Sequence, residues 1–292
     1  MGAGSSVGVS ANGNGGGVEN GQLLSAAMVA AEAGAKVLES YFRSGRLRVD
    51  VKGAHDFVTQ ADRESEAALV AEILARFPDH RILAEEGTVH ESATADFEWV
   101  IDPLDGTTNF LQGLPVWAIS IACRRGAELL AAVVLDPQGG NLFTASRGGG
   151  AYWNGRPVHV SARASLDGAF LATGYPFRAR AALDLYLEMF RSVFAHSRAI
   201  RRCGAAALDL AYTAAGVYDG FFEFRLSPWD IAAGALLIEE AGGVLSDFDG
   251  RGGYLESGNV LAGAPGVHAG LVESARACGA RESALDVLVP RA

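Results

Sequence analysis

The sequence predicts a mixed fold, α+β in its first half and α/β in its second. Two observations carry that prediction. Between about residues 81 and 146, apolar runs follow one another with only short turns such as Arg125-Gly126 between them, the pattern of an antiparallel sheet. Beyond the hairpin signal Asn154-Gly155, strand-like runs alternate with stretches of helical periodicity, the pattern of an α/β unit.

Residues 22 to 43 carry Leu24, Met28, Ala31, Ala35, Leu38 and Phe42 at helical spacing and stop at Ser44-Gly45, so an amphipathic helix is expected there. Leu47 to Val58 reads as extended chain, and a second helix is expected from about Asp62 to Arg76, ended by Pro78. Strands should follow at Arg81 to Ala84, Glu98 to Asp102, Trp117 to Cys123, Glu128 to Leu135 and Asn141 to Ser146. The second half reads as strand (169 to 172), helix (181 to 196), strand (198 to 202), helix (204 to 216), strand (218 to 224), helix (229 to 241) and strand (243 to 247). Gly242-Gly243 supplies the stop of the last helix. The expected organisation is a tail over 1–21, an N-terminal α+β subdomain over 22–157 and a C-terminal α/β subdomain over 158–292.

Composition narrows the function. The chain has 292 residues, 49% of them hydrophobic, enough for a large buried core. Its formal net charge is −10 and no Lys/Arg cluster could track a nucleic-acid backbone or an anionic membrane, so direct nucleic-acid and membrane partners are not expected. Cys123, Cys203 and Cys278 are far apart and without a Cys-x-x-Cys pair, which indicates neither a disulfide framework nor a zinc site and fits a cytoplasmic protein. No apolar run reaches the length of a transmembrane helix, and the start lacks the pattern of a signal peptide. The first 21 residues contain eight glycines and should be disordered.

The chemistry concentrates in Trp99-Val100-Ile101-Asp102-Pro103-Leu104-Asp105-Gly106-Thr107-Thr108-Asn109-Phe110. An apolar strand delivers two carboxylates, three positions apart, into a turn held by Pro103 and Gly106, as a divalent cation requires of hard oxygen ligands. The segment after Asp105 looks like a helix start, whose backbone N–H groups favour an anion. Alone, Asp-x-x-Asp with Gly and Thr is equally ordinary turn and capping chemistry. Three further motifs decide the matter: Asp56-Phe57-Val58-Thr59-Gln60-Ala61-Asp62, Ala84-Glu85-Glu86-Gly87 and Pro228-Trp229-Asp230-Ile231-Ala232-Ala233-Gly234.

With these motifs in order, residues 23 to 280 resemble the inositol monophosphatase family of the metal-dependent, lithium-sensitive phosphatase superfamily. The resemblance implies a layered αβαβα sandwich with the active site between the halves. It implies Mg²⁺ as cofactor, two or three ions with Mn²⁺ as a substitute, which an all-oxygen ligand set also favours. Glu85, Asp102 and the carbonyl of Leu104 would hold one ion, and Asp102, Asp105 and Asp230 a second. Thr107 and Asp62 would orient and deprotonate the attacking water, with Glu85 beside them. The resemblance places substrate on Asp105, Gly106, Thr107, the small segment Gly204-Ala205-Ala206 and Glu223, the last accepting hydroxyl hydrogens of inositol. Ala205 stands where some animal members have Thr, which removes one hydroxyl contact. A homodimer acting on a small phosphate monoester is implied.

Several residues also carry a plainer reading. Asp62 could cap the helix it opens, Glu86 could be a distal metal contact or a solvated neighbour, and His55 reads as a surface residue. Asp209 reads as structural on its Ala/Leu-rich helix, and Trp229 as packing. On substrate, inositol 1-phosphate leads, histidinol phosphate is the alternative because Glu223 could equally accept an amine, and bisphosphates would need cations, for which Arg178, Arg201, Arg202 and Arg225 are available. A non-catalytic regulatory protein of transcription complexes on the same scaffold is the alternative of a different class.

Overall fold

The computed structural model describes residues 15–45, 49–53, 56–92 and 96–288. The N-terminal half contains helix α1 (Gly15–Tyr41), the small hairpin β1 (Val49–Gly53) and β2 (Asp56–Thr59), and helix α2 (Gln60–Arg76). The strands β3 (Arg81–Ala84), β4 (Val89–His90) and β5 (Phe97–Asp105) come next, then the single turn α3 (Thr107–Leu111). Five antiparallel strands complete the sheet: β6 (Ala118–Arg125), β7 (Glu128–Asp136), β8 (Asn141–Ser146), β9 (Gly150–Trp153) and β10 (Arg156–Val158). The eight-stranded order is β10-β9-β8-β7-β6-β5-β3-β4, antiparallel except for the parallel β3–β5 pair.

The C-terminal half builds a second sheet from β11 (Phe170–Thr173), β12 (Ala199–Arg201), β13 (Gly220–Glu223), β14 (Val244–Ser246) and β15 (Val260–Gly263), in the order β12-β11-β13-β15-β14. β11 pairs in parallel with β12 and β13, while β15 runs antiparallel to β13 and β14. Its helices are α4 (Leu183–His196), α5 (Ala206–Ala214), α6 (Pro228–Glu240), α7 (Tyr254–Ser257), α8 (Pro265–Ala277) and α9 (Glu282–Leu288).

The alternation of side chains along each strand sets the layers. In β5, Trp99 and Ile101 face one way and pack with Leu38, Leu69 and Ile73 of α1 and α2, while Val100 faces the other way toward α5 and α6. In the second sheet Ala172, Phe221 and Ala262 meet the same α5/α6 layer, and Leu171, Phe222 and Leu261 pack outward on α4 and α8. Both faces of both sheets are therefore covered, giving helices, sheet, helices, sheet, helices in succession. The middle helix α6 is buried from Asp230 to Ile238 and apolar from Ile231 to Ile238, as a helix between two sheets must be. Among the described residues no helix is long and apolar enough to cross a membrane.

The first helix departs from expectation. It begins at Gly15, so residues 15 to 21, read from the sequence as the end of a disordered tail, form its opening turns. Tertiary contacts outweigh the poor helix propensity of glycine here: Asn20 Nδ2 donates to the carbonyl of Arg147 at 3.2 Å, and Glu19 pairs with Arg125 at 3.7 Å. Residues 1–14 and His55 lie outside the described residues.

Candidate active site

Helix α2 starts with a reciprocal cap. Thr59 is its N-cap, and its hydroxyl and N–H (3.0 Å) both donate to Oδ2 of Asp62. Oδ1 of the same carboxylate faces the Thr107 hydroxyl at 3.4 Å. One oxygen of Asp62 thus caps the helix while the other faces Thr107. The hydroxyl of Thr107 also lies 3.1 Å from the carbonyl of Leu104, so its single proton has two acceptors.

Strand β5 carries the two aspartates through an irregularity. Asp102 pairs with Ser120 and Asp105 with Ala118, so the ladder slips between them and Pro103 and Leu104 bulge out. The backbone N–H of Leu104 donates to Asp102 Oδ1 at 2.9 Å, fixing that carboxylate. Gly106 then turns the chain at φ 90°, and a Cβ there would lie 2.9 Å from the Val116 carbonyl, so glycine is required on both counts.

Asp105 ties the two halves together. Helix α5 has no side-chain cap of its own, and Asp105 accepts its first N–H groups instead, from Ala206 at 3.2 Å and Ala207 at 2.8 Å. Asn109 Nδ2 reinforces this join by donating toward the carbonyls of Val116 and Cys203, at 2.8 and 2.9 Å. Asp230 sits three positions into α6 and accepts the N–H of Ser227 at 2.7 Å, a second reciprocal cap.

Carboxylate oxygens of Asp102, Asp105 and Asp230 lie within 4.8 Å of one another, and all three residues are buried. Burial pushes the Asp102 carboxyl well above the carboxylate range, and the charges of Glu85, Asp105 and Asp230 push the same way. Burial, then Asp230, raises Asp105 to about 7, against the pull of the α5 N–H groups. Glu85, at the end of β3, has its side chain within hydrogen-bonding reach of Asp102. These four carboxylates open on one cleft of about 910 Å³. Leu104, Gly106, Thr107, Gly204, Ala205, Ala206 and Glu223 line it too, whereas Asp62 stands behind Thr107.

The far wall of the cleft comes from the second sheet. Glu223 ends β13 and packs over Gly174, where any Cβ would strike its carboxylate. Burial raises its pKa well above the usual range, and Asp209 and Asp230 add to the effect while Arg202 opposes it. Asp209, read from sequence as structural, lines the cleft as well, with Oδ1 buried and unpartnered. Its Ala/Leu surroundings concealed this. The arginines separate: Arg202 lines the cleft between the rings of Tyr175 and Phe177, each 5.0 Å away, and Arg180 lines it too. Arg225 lines it but pairs with Asp286 at 2.9 Å, and Arg201 lies over the Phe170 ring. The side chain of Arg178 lies outside the described residues. The Glu86 N–H donates to Glu66 at 2.8 Å, and Oε2 of the Glu86 carboxylate is buried.

The chain is similar to known proteins over most of its length. The model of the inositol monophosphatase family matches residues 19–280. The Nus factor SuhB of Pseudomonas aeruginosa is 52% identical over 246 residues, covering 82% of this chain and 91% of that protein. Among solved structures, the extragenic suppressor protein suhB from Bartonella henselae superimposes with a TM-score of 0.84 at 38% identity, covering 87% of this chain and 98% of that one. An inositol monophosphatase from Anabaena superimposes with a TM-score of 0.80 at 34% identity, covering 89% and 97%.

Proposed function

The chain belongs to the inositol monophosphatase family, a phosphatase family, and on that premise we propose that it is a Mg²⁺-dependent hydrolase of phosphate monoesters whose preferred substrate is inositol 1-phosphate. The observation that carries this reading is the buried trio Asp102, Asp105 and Asp230 with Glu85 beside it. Three carboxylates held so close repel one another, and a divalent cation is the natural counter-charge for an all-oxygen set. Glu85, Asp102 and the Leu104 carbonyl would hold one Mg²⁺, and Asp102, Asp105 and Asp230 a second, with Mn²⁺ as a substitute. Bound there, the metal supplies an acidified water and charge neutralisation at the phosphoryl oxygens.

The chain's own groups do the rest. Asp62 Oδ1 and the Thr107 hydroxyl accept and relay the proton of the attacking water, their 3.4 Å separation being the supporting geometry. The N–H groups of Gly106 and Thr107 hold phosphate oxygens. Asp105 and Glu223 accept hydroxyl hydrogens of the leaving group, against the small wall Gly204-Ala205-Ala206. Glu223, with the negative charges of Asp209 and Asp230 beside it and Arg202 as the opposing charge, favours a polyol hydroxyl over a second phosphate. We further infer a cytoplasmic homodimer, for which exposed Leu183, Leu187 and Phe194 on α4 offer an apolar face. The experiment is a kcat/KM panel of inositol 1-phosphate, histidinol phosphate, fructose 1,6-bisphosphate and 3′-phosphoadenosine 5′-phosphate with Mg²⁺. Inositol 1-phosphate should lead, and histidinol phosphate in first place would reassign Glu223 to an amine.

The name Nus factor borne by the Pseudomonas relative supports a second reading, a regulatory role in transcription complexes. The net charge of −10 argues that such a role runs through protein contacts rather than direct contacts to nucleic acid. An Asp102→Asn variant separates the two readings, since it should lose hydrolysis and keep association.

A further inference from the structure

The first two turns of α2 touch every backbone segment that carries a candidate ligand from the first sheet. Asp62 faces Thr107, and the Ser65 hydroxyl donates to the Pro103 carbonyl at 3.2 Å, inside the bulge between Asp102 and Asp105. One turn on from Asp62, Glu66 is 3% exposed, and its carboxylate clasps the turn that follows Glu85. Oε2 accepts the N–H of Glu86 at 2.8 Å and Oε1 accepts that of Thr88 at 3.0 Å. The residue between them, Gly87, sits at φ 101°, the tight point of the turn. The strand beyond, β4, pairs with β3 through only two residue pairs at the sheet edge, Ile82 with His90 and Leu83 with Val89. The turn's own backbone bonds are long, Ala84 N–H to the Thr88 carbonyl and Gly87 N–H to the Ala84 carbonyl both at 3.3 Å, so a buried carboxylate holding two backbone donors at 2.8 and 3.0 Å is a strong added restraint on it.

We propose that Glu66 is a positioning residue for Glu85: it binds no metal and no substrate, and it fixes the Glu85–Thr88 turn so that the Glu85 carboxylate meets Asp102 in the geometry of a shared cation. This inference rests on the reading of Glu85 as a metal ligand. Sequence alone conceals it, because the partners of Glu66 stand 20 and 22 positions away and are backbone groups.

The test compares the full-length protein with Glu66→Ala and Glu66→Gln, the latter keeping one acceptor oxygen in the same volume. Mn²⁺ binding is read by electron paramagnetic resonance, amide exchange at Glu86 and Thr88 by NMR or mass spectrometry, and phosphate release separately. Glu66→Ala should weaken Mn²⁺ binding about 10- to 100-fold, the usual effect of losing an outer-shell partner, and should speed exchange at both amides. Glu66→Gln should fall between it and the wild type. Wild-type Mn²⁺ affinity in Glu66→Ala, or in Glu66→Gln should the alanine variant not fold, would overturn the proposal. A wild-type protein that binds Mn²⁺ but releases no phosphate would overturn the proposed hydrolase and leave Glu66 to be judged by the affinity ratio. A wild-type protein that binds no Mn²⁺ would overturn both.

Discussion

Asp102 is the only carboxylate assigned here to both candidate cation sites, so Asp102→Asn should abolish phosphate release while leaving the melting profile cooperative. Thr107→Ala should lower kcat by about 10²-fold with a smaller change in KM, because the hydroxyl acts on the attacking water. Near-normal kcat in that variant would place the nucleophile elsewhere. Glu223→Ala should cost about 1–3 kcal/mol of transition-state binding on inositol 1-phosphate and leave p-nitrophenyl phosphate turnover intact, since the aryl ester offers no hydroxyl to lose. Equal losses on both substrates would make Glu223 part of the metal or packing shell. Glu223 was read from the family resemblance, whereas Glu85, Asp102, Asp105 and Asp230, which meet at the cleft, were legible because each stands in a short contiguous motif at a strand end or helix start. Asp209 and Glu66 were not: an acid on an Ala/Leu-rich helix looks like any other, and a carboxylate serving distant backbone N–H groups leaves no pattern in sequence.

Elements follow the same division. Long periodic stretches such as α2, α4 and α6, and the apolar runs of β5 to β8, announce themselves through spacing. The two-residue β4 and the three-residue β10 are too short to show a period, and β15 and α8 lie beyond the last element the periodicity suggested. The start of α1 was misread for a physical reason, since Gly15, Gly16, Gly17 and Gly21 argue against a helix that the contacts of Glu19 and Asn20 nonetheless hold. Removing residues 1–21 should therefore lower stability by about 1 kcal/mol, the worth of the Asn20 hydrogen bond and an exposed ion pair. In a protein of this size that is a melting shift of about 2 °C relative to a chain lacking only residues 1–14. An unchanged melting temperature would show that the opening turns contribute nothing.

At the scale of the whole molecule, the five layers meet where Asp105 from the first sheet caps α5 beneath the second. An α/β unit was legible from the alternation of strands and helices and the layered order from the family resemblance, but the face each strand presents to α5 and α6 emerges only from their packing. The join has a pH signature in metal-free protein. Because burial and Asp230 raise the folded Asp105 carboxyl to about 7, folding takes up a proton above its ordinary value of 3.8. That stability is present in full below pH 3.8 and is lost progressively as pH rises to about 7. Melting temperature should fall over this window, less steeply in Asp105→Asn, and added Mg²⁺ should restore it most at the alkaline end. An identical slope in wild type and variant would dissociate Asp105 from the effect.

We propose that the buried carboxylates at this join work as a metal centre for phosphate ester hydrolysis. The most direct test is phosphate release from inositol 1-phosphate by full-length protein after exhaustive chelation, then with Mg²⁺ added back, then with lithium. A metal centre gives no release after chelation, recovery with Mg²⁺, and inhibition by lithium; full activity in the chelated protein, or none after Mg²⁺ is restored, would contradict it.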